Sequence, residues 1–456
     1  MSILQLSQLA RLVNGALVGT DREFDGVSTD SRTLAGGELF VALHGATFDG
    51  HDYLAVASER GAAAAMVDRD VQAELPYVRV GDTLRGLGEL GRQWRLRCPA
   101  RVIAITGSNG KTTLKEMVAA ILGRRGDVLA TRGNLNNDIG VPLTLCRLRD
   151  EPFAVIEMGA NHAGEIDYLS GLARPDIAVL NNAGRAHLEG FGSIEGVARA
   201  KAEIINGLSS DGIFVFNADD RFAGLWRRLG EGRVQRTFGV DQAADVSSPA
   251  AAYQIVWHDS RFEARFPVLC VDGEVELSLA LAGEHNRMNA LAAVAASSAA
   301  GADLEDARQA LSALQPVPGR LFPLAGINGA RLIDDSYNAN PDSVIAALRV
   351  LAAAPGRRTL LLGDLAELGH AARALHEQLG EHAAAFGIDR LFTVGRLSGH
   401  TARAFAGEHR HFADRAALAD TLRRDLSAED SVLIKGSRSA RMEEVVAQLR
   451  VAEAAC

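Results

Sequence analysis

Short, uninterrupted apolar runs alternate with amphipathic stretches along most of this chain. Arg101-Val102-Ile103-Ala104-Ile105 is of β type, and it is followed by Leu114, Met117, Val118, Ile121 and Leu122 at i, i+3, i+4, i+7 and i+8, the spacing of one helix face. Residues 153–156, 177–180 and 213–216 are further apolar runs, with the near-continuous hydrophobicity of strands buried on both faces of a parallel sheet. Residues 1–82 instead carry β-type runs, such as 38–43, separated by glycines, and a helical stretch over 83–97 leads into the strand at 101. At Gln315-Pro316-Val317-Pro318-Gly319 two prolines interrupt the helical pattern. A second alternating series follows, with strands at 359–362, 391–394 and 431–434, each running into a polar or glycine turn. The pattern predicts an α/β protein of three domains: a small mixed module over 1–82, a central domain over 83–316, and a C-terminal doubly wound, Rossmann-like domain over 317–456.

Between the strand at 101 and the helix at 114 lies Thr106-Gly107-Ser108-Asn109-Gly110-Lys111-Thr112-Thr113. Strand, glycine loop and helix, in that order, are the context of a phosphate-binding loop. The glycines let backbone N–H groups converge on phosphate oxygens, and the helix N-terminus adds its positive dipole end. Lys111 supplies a charge for the terminal phosphates, and Thr112 a hydroxyl for a magnesium ion. Two residues lie between Gly107 and Gly110, where the usual loop has four. The expectation is a nucleoside triphosphate site.

Composition narrows the class of partner. The 456 residues are 47% hydrophobic and 23% charged, the profile of a soluble globular protein, with a formal net charge of −9. No basic block offsets that charge, which argues against nucleic-acid binding and requires an anionic substrate to be gripped by individual loops. The opening Met1-Ser2-Ile3-Leu4 lacks a basic n-region, and the most apolar stretch, 288–302, is too short to span a bilayer. Cys98, Cys146, Cys270 and Cys456 have no metal or disulfide spacing. A cytoplasmic protein without membrane insertion is expected.

Several polar residues stand where strands end. Glu157 follows the run 153–156, His187 lies in the loop after 177–180, and Lys201 falls in a helix-type segment over 197–208. Near a phosphate-binding loop, acidic and imidazole groups are candidate magnesium ligands. Taken singly, they also fit a solvated glutamate, a loop histidine and a helix-surface lysine. Asn286 and Asn289 open an alanine-rich helix, where they could cap it or offer amide groups to a base. Asp335-Ser336-Tyr337-Asn338 is, alone, a turn signal.

Together these motifs resemble the Mur ligases, ATP-dependent amide-bond-forming enzymes of peptidoglycan precursor synthesis, over essentially the whole chain. The shortened glycine loop is the form those ligases use. The resemblance implies that Gly107, Ser108, Asn109, Gly110, Lys111, Thr112 and Thr113 bind ATP together with Asn286 and Asn289 at the adenine, Arg320 at phosphate and Asp335 at the ribose. It implies two Mg²⁺ ions, one on Thr112 and Glu157, the other on His187 and on Lys201 carried as a carbamate. Lys111, His187 and Lys201 are then the catalytic residues. A carbamate makes chemical sense there, because an ammonium repels Mg²⁺ whereas the carbamate gives it an anionic oxygen.

The first module, through Thr29-Asp30-Ser31-Arg32, His44-Gly45 and Phe48-Asp49-Gly50-His51, is similar to the UDP-sugar module of the family, and Ser31, Arg32 and Gly45 are expected on substrate. The loop Gly133-Asn134-Leu135-Asn136-Asn137 resembles the family's substrate loop and adds Asn134, Asn136 and Asn137. The motifs at 334–341, 363–369 and 435–438 resemble those of the family members that transfer D-alanyl-D-alanine to UDP-N-acetylmuramoyl-tripeptide, and the resemblance implies that reaction, through an acyl phosphate; a monomer is expected. The alternatives are a ligase that adds the third amino acid to the UDP-linked dipeptide, and a nucleotide-binding protein without catalysis.

Overall fold

The computed structural model describes residues 4–258 and 261–451. Met1, Ser2, Ile3 and Cys456, which entered the sequence reading, lie outside them. Three large sheets follow one another along the described chain.

The first has five strands in the spatial order Ala16–Val18, Tyr77–Arg79, Ala64–Val67, Glu38–Val41 and Gly26–Ser28, parallel except for the first pair. The strand expected over 38–43 ends at Val41, and His44 turns back to bridge Asp49. The helix Thr83–Arg95, started by the Asp82 carboxylate accepting from the Arg85 amide at 2.9 Å, connects this module to the central sheet.

The central sheet has ten strands among the described residues. Its parallel part runs Val246–Ser247, Val234–Gly239, Ile213–Asn217, Ile177–Leu180, Arg101–Thr106, Phe153–Glu157, Val128–Ala130. The strand feeding the glycine loop is therefore flanked by strands that end in Leu180 and Glu157. Helix Lys111–Leu122 buries the five residues read as one face, Leu114, Met117, Val118, Ile121 and Leu122, against this sheet and against helix Glu284–Ala299. That second helix is the alanine-rich stretch. Small side chains let it lie close to the glycine-loop helix, and both contribute to one core.

The third sheet orders Phe322–Ala325, Arg331–Asp335, Asp430–Lys435, Arg357–Gly363, Arg390–Val394 and Glu408–Phe412, antiparallel only at the first pair. Asp335 and Lys435 are register partners at adjacent strand ends. The proline break falls between helix Leu304–Ala313 and strand Phe322–Ala325. No helix among the described residues is long and apolar enough to cross a membrane.

Candidate active site

The carboxyl ends of the central and C-terminal sheets face each other across a cleft of about 650 Å³, the position where open α/β sheets bind ligands. Residues 108–113 of the glycine loop line it, with Glu157, His187, Asn286, Asn289, Arg320, Asp335 and Lys435. Gly107, at φ +152°, and Gly110, at φ +79°, shape the loop's turns. A Cβ on Gly110 would collide with the Asn289 side chain, so the loop reaches the alanine-rich helix only because that residue is glycine. Lys111 Nζ folds back onto the Gly107 carbonyl at 2.8 Å. Burial pushes its ammonium below the usual lysine range, against the pull of nearby Glu157.

Glu157 closes its strand only 2% exposed, and its partners are neutral. The Thr112 hydroxyl donates to Oε2 at 2.9 Å, the Asn136 amide to Oε1 at 2.8 Å, and its own N–H donates to the Thr131 hydroxyl at 2.9 Å. Lys115 Nζ, also buried, donates to the Thr131 carbonyl at 2.6 Å and so fixes the strap that holds Glu157. A buried carboxylate beside the Thr112 hydroxyl offers hard oxygen donors, and among the described residues no guanidinium or ammonium is in hydrogen-bond contact with its charge. These groups fit Mg²⁺.

Lys201 is 1% exposed, which removes the surface-lysine alternative. The helix carrying it spans Ile194–Ala202, with a 3₁₀ turn, Glu203–Ile205, taking up the rest of the expected segment. Its Nζ donates to the Ala160 carbonyl at 3.2 Å and sits 5.3 Å from the Phe191 ring centroid. Burial, with Lys111 nearby, lowers its pKa to about 7. His187, at φ +52°, lies at the mouth of the same region. Burial, the largest influence, lowers its pKa, and Lys111 and Lys201 act in the same sense while Glu367 opposes them. An imidazole disfavoured as a cation, within electrostatic reach of an amine that can accept CO₂ when neutral, is compatible with a second cation site.

The asparagines do not cap their helix. Its N-cap is Gly283, without a side-chain cap bond, and the two residues join a buried relay instead. Asn289 Nδ2 donates to Asn286 Oδ1 at 3.1 Å, and Asn181 Nδ2 donates to Asn289 Oδ1 at 2.8 Å and to the Asn109 carbonyl at 3.0 Å. The relay links the helix to the glycine loop. Arg320 stacks on Tyr337, 4.3 Å from the ring centroid. Asp335 is already engaged. Lys435 Nζ is 2.6 Å from Oδ2, and the Leu321 N–H donates to Oδ1 at 3.1 Å. Burial raises the Asp335 pKa, with Lys435 opposing.

Asn134, Asn136 and Asn137 line the cleft. Asn136 holds Glu157, as above, and Asn137 Oδ1 accepts the Gly140 amide at 2.9 Å at the start of the next helix. Ser31, Arg32 and Gly45 are not among the cleft residues and belong to the N-terminal module. Arg32 is exposed and forms a fork with Asp30, Nε to Oδ1 at 2.9 Å and Nη2 to Oδ2 at 2.8 Å.

Four contacts escaped the sequence reading: Lys435 on Asp335, Glu367 on His187, Arg185 Nη2 on Asp342 Oδ1 at 2.7 Å, and Asn340 Nδ2 donating to Asn109 Oδ1 at 2.7 Å. The last three join the central domain to the C-terminal one. The signal available for Lys435 and Glu367 was their place in turns after apolar runs.

Comparisons with known proteins agree with this architecture. The chain matches the Mur ligase family, catalytic domain, over residues 23–95, the Mur ligase middle domain over 105–297, and the Mur ligase, glutamate ligase domain over 319–438. A relative from Escherichia coli (strain K12), UDP-N-acetylmuramoyl-tripeptide--D-alanyl-D-alanine ligase, is 47% identical over 453 residues, 99% of each chain. The crystal structure of MurF from Acinetobacter baumannii superposes with a TM-score of 0.90 at 36% identity, covering 98% of this chain and 99% of that one. MurF ligase from Thermotoga maritima, solved in complex with ADP, gives a TM-score of 0.82 at 28% identity over 93% and 96% of the two chains. The chain belongs to the Mur ligase family. Within that family its resemblance is to MurF.

Proposed function

We propose that the protein is the ATP-dependent ligase that joins D-alanyl-D-alanine to UDP-N-acetylmuramoyl-tripeptide. The observation that carries this reading is one cleft holding the glycine loop, the Thr112–Glu157 pair and His187, with Lys201 buried close to Lys111, in a chain similar to MurF over nearly its full length. The three domains, 1–82, 83–316 and 317–456, would hold the UDP-sugar, the ATP, and the nucleotide's far side with the acceptor.

A carboxylate is a poor electrophile, so the tripeptide carboxylate must first be activated. Its oxygen attacks the γ-phosphorus of ATP, the bond from phosphorus to the bridging oxygen breaks, and ADP leaves with that electron pair. The acceptor's neutral amine then attacks the acyl carbon of the acyl phosphate. The tetrahedral adduct collapses with loss of phosphate, and the amine's surplus proton passes to solvent or base. Lys111 and the loop amides stabilise the charge on the transferring phosphoryl group, where positioning and electrostatics supply most of the catalysis. Thr112 and Glu157 would hold one Mg²⁺, and His187 with carbamylated Lys201 a second; these ions supply charge neutralisation at the phosphates. The contacts of Asn340, Asp342 and Glu367 on the central domain help exclude water, which would otherwise hydrolyse the acyl phosphate. Asn286 and Asn289 face the cleft for the adenine, and Arg320 and Asp335 for phosphate and ribose. Ser31, Arg32, Gly45, Asn134, Asn136 and Asn137 would contact the UDP-muramoyl substrate. The expected protein is a cytoplasmic monomer.

The test is phosphate release with UDP-N-acetylmuramoyl-tripeptide and a panel of acceptors. Release that depends on D-alanyl-D-alanine supports the proposal. Release only with UDP-N-acetylmuramoyl-dipeptide and diaminopimelate or lysine contradicts it.

A further inference from the structure

His187 and Glu367 are both non-glycine residues in the left-handed region, at φ +52° and +60°, and they belong to different domains. They meet at 2.5 Å, Nδ1 of the imidazole against Oε2 of the carboxylate. That ring nitrogen is buried and has no hydrogen-bond partner of regular geometry among the described residues, so the close approach of the Glu367 carboxylate is the polar contact it has. Two backbones held in a sparsely populated conformation, each presenting its side chain to the other, indicate a contact the fold keeps at some cost. Glu367 is also placed to act on the reaction region: its loop, 364–369, borders a recess that adjoins the cleft, and His187 lines both.

We infer that Glu367 is a positioning residue that reaches across from the C-terminal domain to hold the His187 ring, so that the metal-binding face of His187 is completed only when the two domains are together. A carboxylate at this distance, once in line with Nδ1–H, accepts from it, fixes the tautomer and leaves the Nε2 lone pair for a cation; histidine ligands are regularly oriented this way. Domain closure and cation binding would then favour each other to the same extent, since such coupling is reciprocal. The inference rests on the proposed role of His187 as a cation ligand.

Mn²⁺ serves as the probe, its free and bound forms counted by electron paramagnetic resonance on the full chain with a non-hydrolysable ATP analogue. Glu367→Leu should weaken the binding of one Mn²⁺ by about 10–100-fold, the usual cost of removing such a partner. Glu367→Gln, whose amide oxygen still accepts a hydrogen bond, should recover part of that loss. Glu367→Gly relieves the left-handed backbone but lacks the carboxylate, and should behave like Leu. His187→Ala should lose the same ion, and the Glu367→Leu/His187→Ala pair should lose no more than His187→Ala alone. Affinity for the ATP analogue should stay within about twofold throughout the Glu367 series. Glu367 is 58% exposed on a surface loop, and unchanged circular dichroism would confirm that these variants fold. Wild-type Mn²⁺ binding in Glu367→Leu while His187→Ala loses an ion overturns this inference alone. Unchanged binding in both overturns the role of His187 itself. A Gly variant equal to wild type shows that the backbone, not the carboxylate, matters, and also overturns it.

Discussion

The strand ends of the N-terminal module and those of the central sheet both gather buried or half-buried charge, but they satisfy it in opposite ways. In the N-terminal module, Asp49 and Asp68 are mated with His44, His51 and Arg69. His51 Nδ1 lies 2.6 Å from Asp49 Oδ1, Arg69 Nη2 2.6 Å from Asp49 Oδ2, and His44 Nε2 2.7 Å from Asp68 Oδ2. Arg69 holds the Asp49 carboxyl well below the usual range. At the central sheet, Glu157 meets only a hydroxyl and an amide, and Lys201 only a carbonyl and a ring face. Burying a charge without a counter-charge is costly, and a fold keeps such groups where a ligand will neutralise them. The paired edge is therefore built to hold its own shape, and the unpaired edge to meet cations and phosphate. Asp335 and Lys435 stand between the two cases, a buried pair at the rim of the reactive cleft.

That contrast can be broken by substitution. Lys111→Ala should have the largest effect, lowering turnover by at least about 10²–10³-fold with the fold intact, because its charge serves phosphate and not a core. Steady-state phosphate release and circular dichroism check it, and near-wild-type turnover would remove the phosphate-binding role.

Lys201→Ala should be nearly as damaging, and small carboxylates such as acetate or formate should restore part of the activity by occupying the vacated anionic position. Lys201→Arg should not be rescued, since the guanidinium keeps a positive charge where an anion is needed. Carbamate forms only from the neutral amine. With the Lys201 pKa lowered to about 7, the amine is mostly neutral above that pH and protonated below it. Activity should therefore fall as pH drops through about 7, and added bicarbonate should shift that fall to lower pH. An active Lys201→Ala enzyme, or a profile indifferent to CO₂, would contradict the modification.

Asp335 tests the intermediate case. Asp335→Ala leaves the Lys435 ammonium, 2% exposed, without its counter-ion and should destabilise the protein by about 3–5 kcal/mol in denaturant unfolding. Asp335→Asn keeps a hydrogen-bond acceptor and should lose less stability while still raising the KM for ATP. An unchanged KM in a folded Asn variant would leave Asp335 a structural residue only.

Arg32→Ala should have the smallest effect. Its fork with Asp30 is on the surface, where ion pairs contribute little, so the melting temperature should not move. The KM for the UDP-linked substrate should rise while that for ATP stays constant. Equal shifts in both would place Arg32 outside the substrate contacts.

How much of this was legible in the sequence follows the same divide. Local order was plain. The helix face over Leu114–Leu122 and the apolar strands at 177–180 and 431–434 are periodicities that burial then fulfils, with edges moving by a residue or two. The glycine loop carried its chemistry in its context between strand and helix, although its spacing is shorter than the usual loop's. Lys201, by contrast, reads from local pattern alone as a surface lysine, because its burial depends on Phe191 of the preceding helix and on the Ala160 carbonyl, forty-one residues away, folding over it. Asn286 and Asn289 look like caps for the same reason: Asn289 is held by Asn181, more than a hundred residues away, which ties both to Asn109 of the glycine loop. The contacts of Glu367, Asn340 and Asp342 on the central domain had no local signature either, since they exist only once two sheets face each other.

The central claim is that the cleft activates a carboxylate by phosphorylating it. The direct measurement uses UDP-N-acetylmuramoyl-tripeptide labelled with ¹⁸O in the reacting carboxylate, with ATP and D-alanyl-D-alanine, followed by mass spectrometry of the released phosphate. The account predicts one ¹⁸O atom in each phosphate, carried there when the acyl phosphate's C–O bond breaks. Unlabelled phosphate, or label in AMP, would contradict it.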